Sequence, residues 1–311
     1  MRAVGVVDFG GPEVLSTHTL PDPHPGPGEV RIRVRAAAVS PTDLKLRSGG
    51  YDTANAEPPY IPGMDAAGVI DEVGEGSTWK VGDQVMAIAL PLAEHGGAYV
   101  EYLVAPDDTI ARIPAGTSFE EASTVPMNGL TATQILELVA LQPGHTFAVT
   151  GAAGTLGSYL IQLAKEQGLV VIADAAPNDV SLVQSFGADY IVVRGDDVAD
   201  RIRAIFPDGV DAVADPARLR DKVVPALRDG GVFVDVAVQG WKGDQTRAIR
   251  YEAAGVSQEY HSQAKLDALR QAVENGMLTP RVAAIIPAES AAEGHRRLEA
   301  GGTRGRIVLT F

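Results

Sequence analysis

Alternating hydrophobic and polar residues dominate the first third of the 311-residue chain. In EVRIRVRAAAVS (residues 29–40), every second residue from Val30 to Val34 is apolar and β-branched, and charged residues stand between them. This period of two predicts a half-buried strand. Glycine and proline separate three more predicted strands: AAGVIDEVGEG, GDQVMAIA and AYVEYLVAP. The stretch PDPHPGPGE is too rich in proline and glycine for a regular element, so it predicts an exposed loop.

The pattern changes near Ser118, where strands and helices begin to alternate. Ser118 and Glu121 predict a capping box at the start of the helical stretch SFEEASTVPMNGLTATQILELVAL. The predicted strands that follow are FAVTG, VVIAD, YIVV, VDAVAD, GVFVDVAV and AAGVSQEY, with helices SYLIQLAKEQG, NDVSLVQSFGA and VADRIRAIF among them. Such alternation, with strands apolar on both faces, predicts a doubly wound parallel sheet. After about Ser262 the pattern is mixed again, with helices QAKLDALRQAVENG and SAAEGHRRLEAG and a closing strand RIVLTF.

A glycine-rich turn lies between the first strand and the first helix of the alternating region. In VTGAAGTLGSYL, Gly151 is predicted to make the tight turn, Gly154 to let a pyrophosphate approach the backbone, and Gly157 to let the helix pack on the strand. Thr155 and Leu156 open the helix, whose N-terminus attracts an anion. The spacing predicts a dinucleotide site; a glycine-rich strand exit without a ligand is the alternative.

Three charged residues bear on which dinucleotide is bound. Asp174 closes the second strand, about twenty residues after the loop, where a carboxylate binds the adenosine ribose hydroxyls. Asp179 adds a second negative charge nearby, and both oppose the 2′-phosphate of NADP. Arg194, after the third strand, could instead pair with that phosphate. The two acids outweigh one arginine, so the sequence favours NADH over NADPH.

Composition narrows the class of protein further. The net charge of −14 disfavours nucleic acid and anionic membrane surfaces as partners. The chain has no cysteine, which excludes disulfides, thiolate zinc sites and a cysteine nucleophile. Its first residues lack the layout of a signal peptide, and no stretch has the character of a membrane span, so a cytoplasmic location is expected.

The ordered motifs together identify the chain as a member of the medium-chain dehydrogenase/reductase superfamily, in its zinc-independent quinone oxidoreductase and enone reductase branch. The resemblance runs end to end and rests on GEVRIRVRAAAVSPTDLKLRSG, IPGMDAAGVIDEVGEG, GGAYVEYLVAP, TVPMNGLTATQIL, VTGAAGTLGSYLIQLAK and GGTRGRIVL. It implies an α/β protein with two domains. A chaperonin-10-like, β-rich catalytic domain comes from residues 1–121 and 262–311, and residues 122–261 form an inserted Rossmann domain. It also implies a homodimer and an active site in the cleft between the domains.

The resemblance also locates the positions that bind catalytic zinc in zinc-dependent relatives. In this sequence the residues at these positions are Ser40, Met64 and Met127, and none of them is a competent zinc ligand. We therefore expect no metal.

The candidate catalytic residues lie in SPTDLKLRSGGY, the segment that surrounds nicotinamide and substrate in quinone reductases. It supplies Ser40, Asp43, Lys45 and Tyr51. A structural helix cap is the alternative role for Asp43, and a solvent-facing position is the alternative for Lys45. By resemblance, Asn128 and Thr131 are expected near the cofactor.

The leading functional hypothesis is hydride transfer from NAD(P)H, with NADH favoured, to a quinone or an α,β-unsaturated carbonyl. Such substrates supply their own electron sink, so no metal is needed to polarise them. Two alternatives stay open. One is a reductase of unsaturated thioesters or polyketide-type intermediates, and the other is a nucleotide-binding protein with little turnover.

Overall fold

The computed structural model describes residues 1–236 and 241–311. They form two compact units, one made of Met1–Met127 with Tyr260–Phe311 and the other of Asn128–Glu259. Both ends of the chain therefore build the first unit, and one continuous segment builds the second. Within the described residues no helix has the length and apolar character needed to cross a bilayer.

The N-terminal part of the chain is rich in strands, as the alternating pattern predicts. Its strands are β1 (Arg2–Gly5), β2 (Ser16–Thr19), β3 (Glu29–Ala38), β4 (Asp65–Val73), β5 (Gln84–Ile88), β6 (Tyr102–Pro106) and β7 (Ile110–Arg112). Its helices are α1 (Pro41–Arg47), α2 (Phe119–Ala122) and α3 (Pro126–Val139). The capping box of Ser118 and Glu121 is confirmed at the start of α2. The single helical stretch predicted after Ser118 is wrong in one respect, because the chain leaves the helical path at residues 123–125 between α2 and α3.

Strand β3 is the centre of the sheet in the first unit. It pairs antiparallel with β4 on one side, and on the other side with β6 along its first half and the C-terminal strand along its second half. Val30, Ile32 and Val34 are buried and the residues between them are more exposed, which confirms the period of two. Ile70 of β4 and Leu103 of β6 are buried in the same hydrophobic core.

The second unit alternates strands and helices. The strands are β8 (Thr146–Val149), β9 (Val170–Ala175), β10 (Tyr190–Val193), β11 (Val210–Asp215), β12 (Leu227–Val236) and β13 (Arg250–Ala254), and the helices are α4 (Thr155–Glu166), α5 (Val180–Ser185) and α6 (Val198–Ile205). The strands form one sheet in the order β10-β9-β8-β11-β12-β13, and every pair is parallel. The predicted doubly wound sheet is confirmed.

Two predicted strands of this unit differ in extent from the structure. The strand predicted for AAGVSQEY ends at Ala254, and a short 3₁₀ turn over Val256–Glu259 follows. The strand predicted for GVFVDVAV runs from Leu227 to Val236, and its last two residues, Ala237 and Val238, lie outside the described residues. Short apolar runs carry little information about length, which is why the boundaries of these two strands shift.

The chain returns to the first unit through α7 (Gln263–Glu274), β14 (Val282–Pro287), α8 (Ala291–Ala300) and β15 (Arg306–Thr310). In that sheet β14, β15 and β3 are neighbours, with β14 at the edge. Strand β14 was not predicted, because VAAIIP has no clear alternation; its Ile285 is 54% exposed at the sheet edge.

A buried polar cluster joins helix α8 to helix α1. His295 of α8 is fully buried, and its Nε2 lies 3.4 Å from the hydroxyl of Tyr99, which donates to Asp43 of α1 at 3.0 Å. Arg47, also buried, pairs with Glu299 of α8 at 2.5 Å. Burial and the nearby Arg47 charge lower the pKa of His295 to about 3, so this imidazole is neutral in the folded protein.

The neutral histidine makes stability depend on pH. An ordinary histidine titrates near pH 6.5, so between about pH 6.5 and pH 3 the unfolded chain binds a proton that the folded chain refuses, and stability falls as pH falls. Asp43 has the opposite effect on stability. Burial raises its pKa to about 6, so between about pH 6 and pH 4 the folded chain binds a proton that the unfolded chain does not, and this group adds stability as pH falls. We expect His295→Gln to make the slope of unfolding free energy against pH less steep, by up to about 1.4 kcal/mol per pH unit.

The measurement is denaturant unfolding at several pH values from 7 to 4.5. His145→Gln is the control, because it makes the same substitution at an exposed histidine. Identical slopes for wild type and His295→Gln would contradict the assignment of a neutral, buried imidazole.

Candidate cofactor and active site

The glycine-rich turn lies at the carboxyl end of β8 and leads directly into α4. Gly151 has a φ of 61°, in the left-handed region that favours glycine, and Gly154 is the N-cap of the helix. A Cβ on Gly157 would lie 2.4 Å from the carbonyl oxygen of Gly151, so no side chain fits there. The first two of these glycines thus shape the turn, and the third allows α4 to pack against it.

The mouth of this helix fits the diphosphate of a dinucleotide. A Cβ on Gly154 would approach only the Gly151 carbonyl oxygen, at 3.2 Å, so the space beyond Gly154 is otherwise open. The N–H groups of the first helical turn, at Thr155, Leu156 and Gly157, have no acceptor within the helix and carry the positive end of its dipole. An anion of the size of a phosphate is the ligand that such an opening accepts.

Asp174 lies beside the turn, near the end of β9. It is 7% exposed, and its carboxylate accepts a hydrogen bond from the amide of Ala152 at 3.1 Å. Burial raises the pKa of Asp174, while the Ala152 amide and the charge of Arg194 act against that rise. Arg194 itself is exposed, and its amide donates to the carbonyl oxygen of Ala175. The structure therefore places Asp174 beside the glycine-rich turn, and the charge of Arg194 acts on Asp174.

The remaining cofactor candidates are on α3 and at the start of α5. Asn128 and Thr131 are 7% and 6% exposed on α3. Asp179 is the N-cap of α5 and is also 7% exposed, so its carboxyl group is largely shielded from solvent.

Ser40 and Asp43 are part of the buried structure around α1. Asp43 accepts hydrogen bonds from the amides of Ser40 at 2.7 Å and Gly63 at 2.9 Å and from the hydroxyl of Tyr99, and it completes the capping box of α1. All of its contacts are with protein groups that hold α1 and the neighbouring loop. This is the helix-cap arrangement that the sequence allowed as the alternative to a catalytic acid.

A buried ion pair lies beside two of the positions that, by the family resemblance, bind zinc in zinc-dependent relatives. Arg306 donates to the hydroxyl of Ser40 at 2.6 Å and to the carboxylate of Asp65 at 2.8 Å. The other Asp65 oxygen accepts from the amide of Met127 at 2.6 Å, and the Met127 sulfur lies 3.6 Å from the Ser40 hydroxyl. Met64 is likewise buried.

These residues do not fit a zinc ion. A hydroxyl and two thioethers replace the thiolate and imidazole ligands that zinc prefers, and a guanidinium cation already occupies the immediate surroundings. The part of the chain that the structure describes also contains no cluster of three or more His, Cys, Asp or Glu residues able to hold a metal ion.

Lys45 and Tyr51 form a contact of their own at the end of α1. The Lys45 ammonium lies 4.3 Å from the centroid of the Tyr51 ring, a cation–π geometry. Lys45 is exposed and Tyr51 is half-buried. A Cβ on the intervening Gly50 would lie 2.6 Å from the Lys45 side chain, so the absence of a side chain there lets the two residues approach.

Several parts of these networks have no local signal in the sequence. Tyr99 contacts Asp43 from 56 residues away and His295 contacts Tyr99 from 196 residues away. Arg306 contacts Ser40 from 266 residues away. Tyr99 and Arg306 stand in motifs that carry the family resemblance, GGAYVEYLVAP and GGTRGRIVL, whereas His295 stands in none of them.

Comparison with known proteins agrees with this geometry. The family model "Alcohol dehydrogenase GroES-like domain" matches residues 26–115, and "Zinc-binding dehydrogenase" matches residues 186–309. The quinone oxidoreductase of Mus musculus is 31% identical over 329 residues, covering 99% of this chain and 97% of the relative. The chloroplastic NADPH-dependent alkenal/one oxidoreductase of Arabidopsis thaliana is 33% identical over 242 residues, which covers 75% of this chain and 62% of that relative.

Among solved structures, an NAD-dependent alcohol dehydrogenase superposes with a TM-score of 0.89 at 32% identity and covers 100% of both chains. The fold, the glycine-rich turn and these similarities agree. The chain belongs to the medium-chain dehydrogenase/reductase superfamily, in its quinone oxidoreductase branch, and is an oxidoreductase that uses a nicotinamide cofactor.

Proposed function

We propose that this protein transfers hydride from a nicotinamide cofactor to a quinone or an α,β-unsaturated carbonyl without a metal ion. The observation that carries the proposal is the ion pair of Arg306 and Asp65, which stands with Ser40 and Met127 where zinc-dependent relatives hold their metal. The relatives named quinone oxidoreductase and alkenal/one oxidoreductase support the same substrate classes.

The chemistry of the substrate makes a metal unnecessary. The cofactor, when bound, supplies the hydride. In a quinone or enone the arriving electron pair moves onto the carbonyl oxygen, so the protein must orient the substrate and stabilise a developing enolate or hydroquinone oxygen. A proton then completes the product. An isolated ketone lacks this sink and needs stronger polarisation.

Lys45 and Tyr51 are the proposed partners of that oxygen. The lysine ammonium can attract developing negative charge, and the tyrosine hydroxyl can donate a hydrogen bond. Their mutual contact holds the ammonium over the ring rather than free to move through solvent. Asp43 and Ser40 serve this pair indirectly, because they cap and fix α1, which carries Lys45.

We further propose NADH as the preferred cofactor, with the glycine-rich turn, Asp174, Asn128 and Thr131 as parts of its site. Asp174 is held beside the turn by the Ala152 amide, and a fixed carboxylate suits ribose hydroxyls and repels a 2′-phosphate. Arg194 weakens this repulsion through its own charge. The names of the relatives point both ways, since one is NADPH-dependent and another NAD-dependent.

The proposed function is tested by following NADH and NADPH oxidation with a quinone, a small enone and an unsaturated thioester, before and after prolonged chelation. We expect turnover with the quinone or the enone, unchanged by chelation, and no stoichiometric zinc by elemental analysis. Turnover with the thioester alone would favour the polyketide-type reductase. Tight nucleotide binding without turnover of any acceptor would favour a binding protein, and one zinc per chain would refute metal independence.

Cofactor preference is tested by kcat/KM for NADH and NADPH with one acceptor. We expect the wild type to prefer NADH and Asp174→Ser to shift the ratio toward NADPH by about tenfold, the equivalent of ~1.4 kcal/mol of removed repulsion. Asp197→Ser, which changes an exposed carboxylate at the N-cap of α6, is the control. A wild-type preference for NADPH that Arg194→Ala abolishes would show that the arginine dominates.

The roles of Lys45 and Tyr51 are tested with variants that keep their packing. Lys45→Met retains the length of the side chain, and Tyr51→Phe retains the ring. Loss of an oxyanion partner lowers turnover by roughly a hundredfold, so we expect this reduction with little change in the Kd of the cofactor. Lys80→Met is the control at an exposed lysine. Turnover at the wild-type level in both variants would contradict the assignment.

A further inference from the structure

The loop after β11 faces the glycine-rich turn across the carboxyl edge of the parallel sheet. The strand order places β8 beside β11, although β9 and β10 come between them in the chain. The direction of winding therefore reverses between these two strands, and in open parallel sheets the ligand lies in the crevice at that point. The glycine-rich turn after β8 forms one side of the crevice, and residues 216–220 form the other.

Hydrogen bonds fix this loop tightly against the turn. The amide of Ala217 donates to the hydroxyl of Thr150 at 3.2 Å, and a Cβ on Gly151 would lie 3.3 Å from the same nitrogen. Asp215, which is fully buried, accepts from the Thr150 hydroxyl at 2.5 Å and from the amide of Arg220 at 2.7 Å. The backbone of this loop is therefore held in place by hydrogen bonds to the strand ends and to the glycine-rich turn.

Two arginines of the loop adopt a backbone conformation that favours glycine. Arg218 has a φ of 57° and Arg220 a φ of 48°. Left-handed residues other than glycine are uncommon and strained, and they persist where the surroundings or a function require them. Arg220 has an internal reason, because its guanidinium pairs with Asp235 at 3.1 Å and lies 5.7 Å from the ring centroid of Trp241.

Arg218 has no such internal reason. It is exposed, and within residues 1–236 and 241–311 its guanidinium makes no hydrogen bond or ion pair. Its amide donates to the carbonyl oxygen of Asp215, so the backbone is held while the charged side chain is left available. A strained arginine that contributes nothing to the described protein contacts suggests an external ligand.

The exposed guanidinium of Arg218 and the N-terminus of α4 both carry positive charge, so they point to an anionic ligand. Asp174, Asp215 and Asp235 are all buried at the carboxyl ends of their strands, so a bound anion needs positive groups that offset these carboxyl groups. A dinucleotide brings two further negative charges in its diphosphate. We propose that Arg218 binds the diphosphate of the nicotinamide cofactor, opposite the N-terminus of α4. This inference rests on the proposed cofactor site and adds a residue that the glycine motif does not include.

The test is the binding of NADH and of ADP, measured by calorimetry, to the wild type, Arg218→Ala and Arg218→Gly. A charge-assisted contact is worth about 1.5–3 kcal/mol, so we expect Kd to rise roughly 10- to 100-fold for both nucleotides in both variants. Because glycine relieves the strained backbone, the ligand-free Arg218→Gly protein should melt at or above the temperature of the wild type.

Arg228→Ala is the matched control. This exposed arginine pairs with Asp211 near the amino end of β11, whereas the crevice lies at the carboxyl ends of the strands. Its loss should therefore leave both Kd values unchanged. Unchanged binding in the Arg218 variants would overturn the inference, as would a loss confined to NADH, which would place Arg218 on the nicotinamide half. Melting well below the wild type in both variants would also overturn it, because Arg218 would then support the fold. If the wild type binds neither nucleotide, the proposed function fails instead.

Discussion

The buried ion pair of Arg306 and Asp65 is the interaction on which the first unit depends most. Arg306 is 5% exposed and Asp65 is fully buried. The guanidinium also donates to the carbonyl oxygens of Ala38 and Val39 at the end of β3, and Asp65 holds the amide of Met127. The pair thus joins β15, β3, β4 and the start of α3. Removing one partner of such a pair leaves an uncompensated buried charge, which costs about 3–5 kcal/mol.

Buried carboxylates perform a similar task in the second unit. Asp174 holds the amide of Ala152, and Asp215 holds the Thr150 hydroxyl and the amide of Arg220. Each carboxylate fixes a loop at the carboxyl edge of the sheet, so these loops are organised before any ligand arrives. The same acids make the edge electrostatically unfavourable for phosphates. The helix N-terminus and nearby cations must offset that repulsion. Each positive group at this edge therefore matters for phosphate binding, although the chain as a whole is acidic.

The sequence predicts features that depend on neighbouring residues, and it does not predict contacts between residues that are far apart in the chain. The alternation around Val30 and the glycine pattern from Gly151 to Gly157 are local, and both elements form where the sequence indicates. The contact between Arg306 and Asp65 joins residues 241 positions apart, and no local pattern announces it. Strand β14 has weak alternation and lies at a sheet edge, where burial imposes little pattern. The strained backbone at Arg218 also left no trace, because an arginine is not a residue type that predicts a left-handed turn.

Helix α1 has a buried side that stabilises the fold and an exposed side that is open to solvent. Its period places Asp43, Leu46 and Arg47 on the buried side and leaves Lys45 exposed. Asp43 has its oxygens engaged by two amides and a hydroxyl, so using it as an acid would require breaking the cap of the helix. The raised pKa of Asp43 follows from burial, which operates with or without a catalytic role. We therefore propose that this segment meets a substrate through the exposed side of α1 and through Tyr51, which follows the helix.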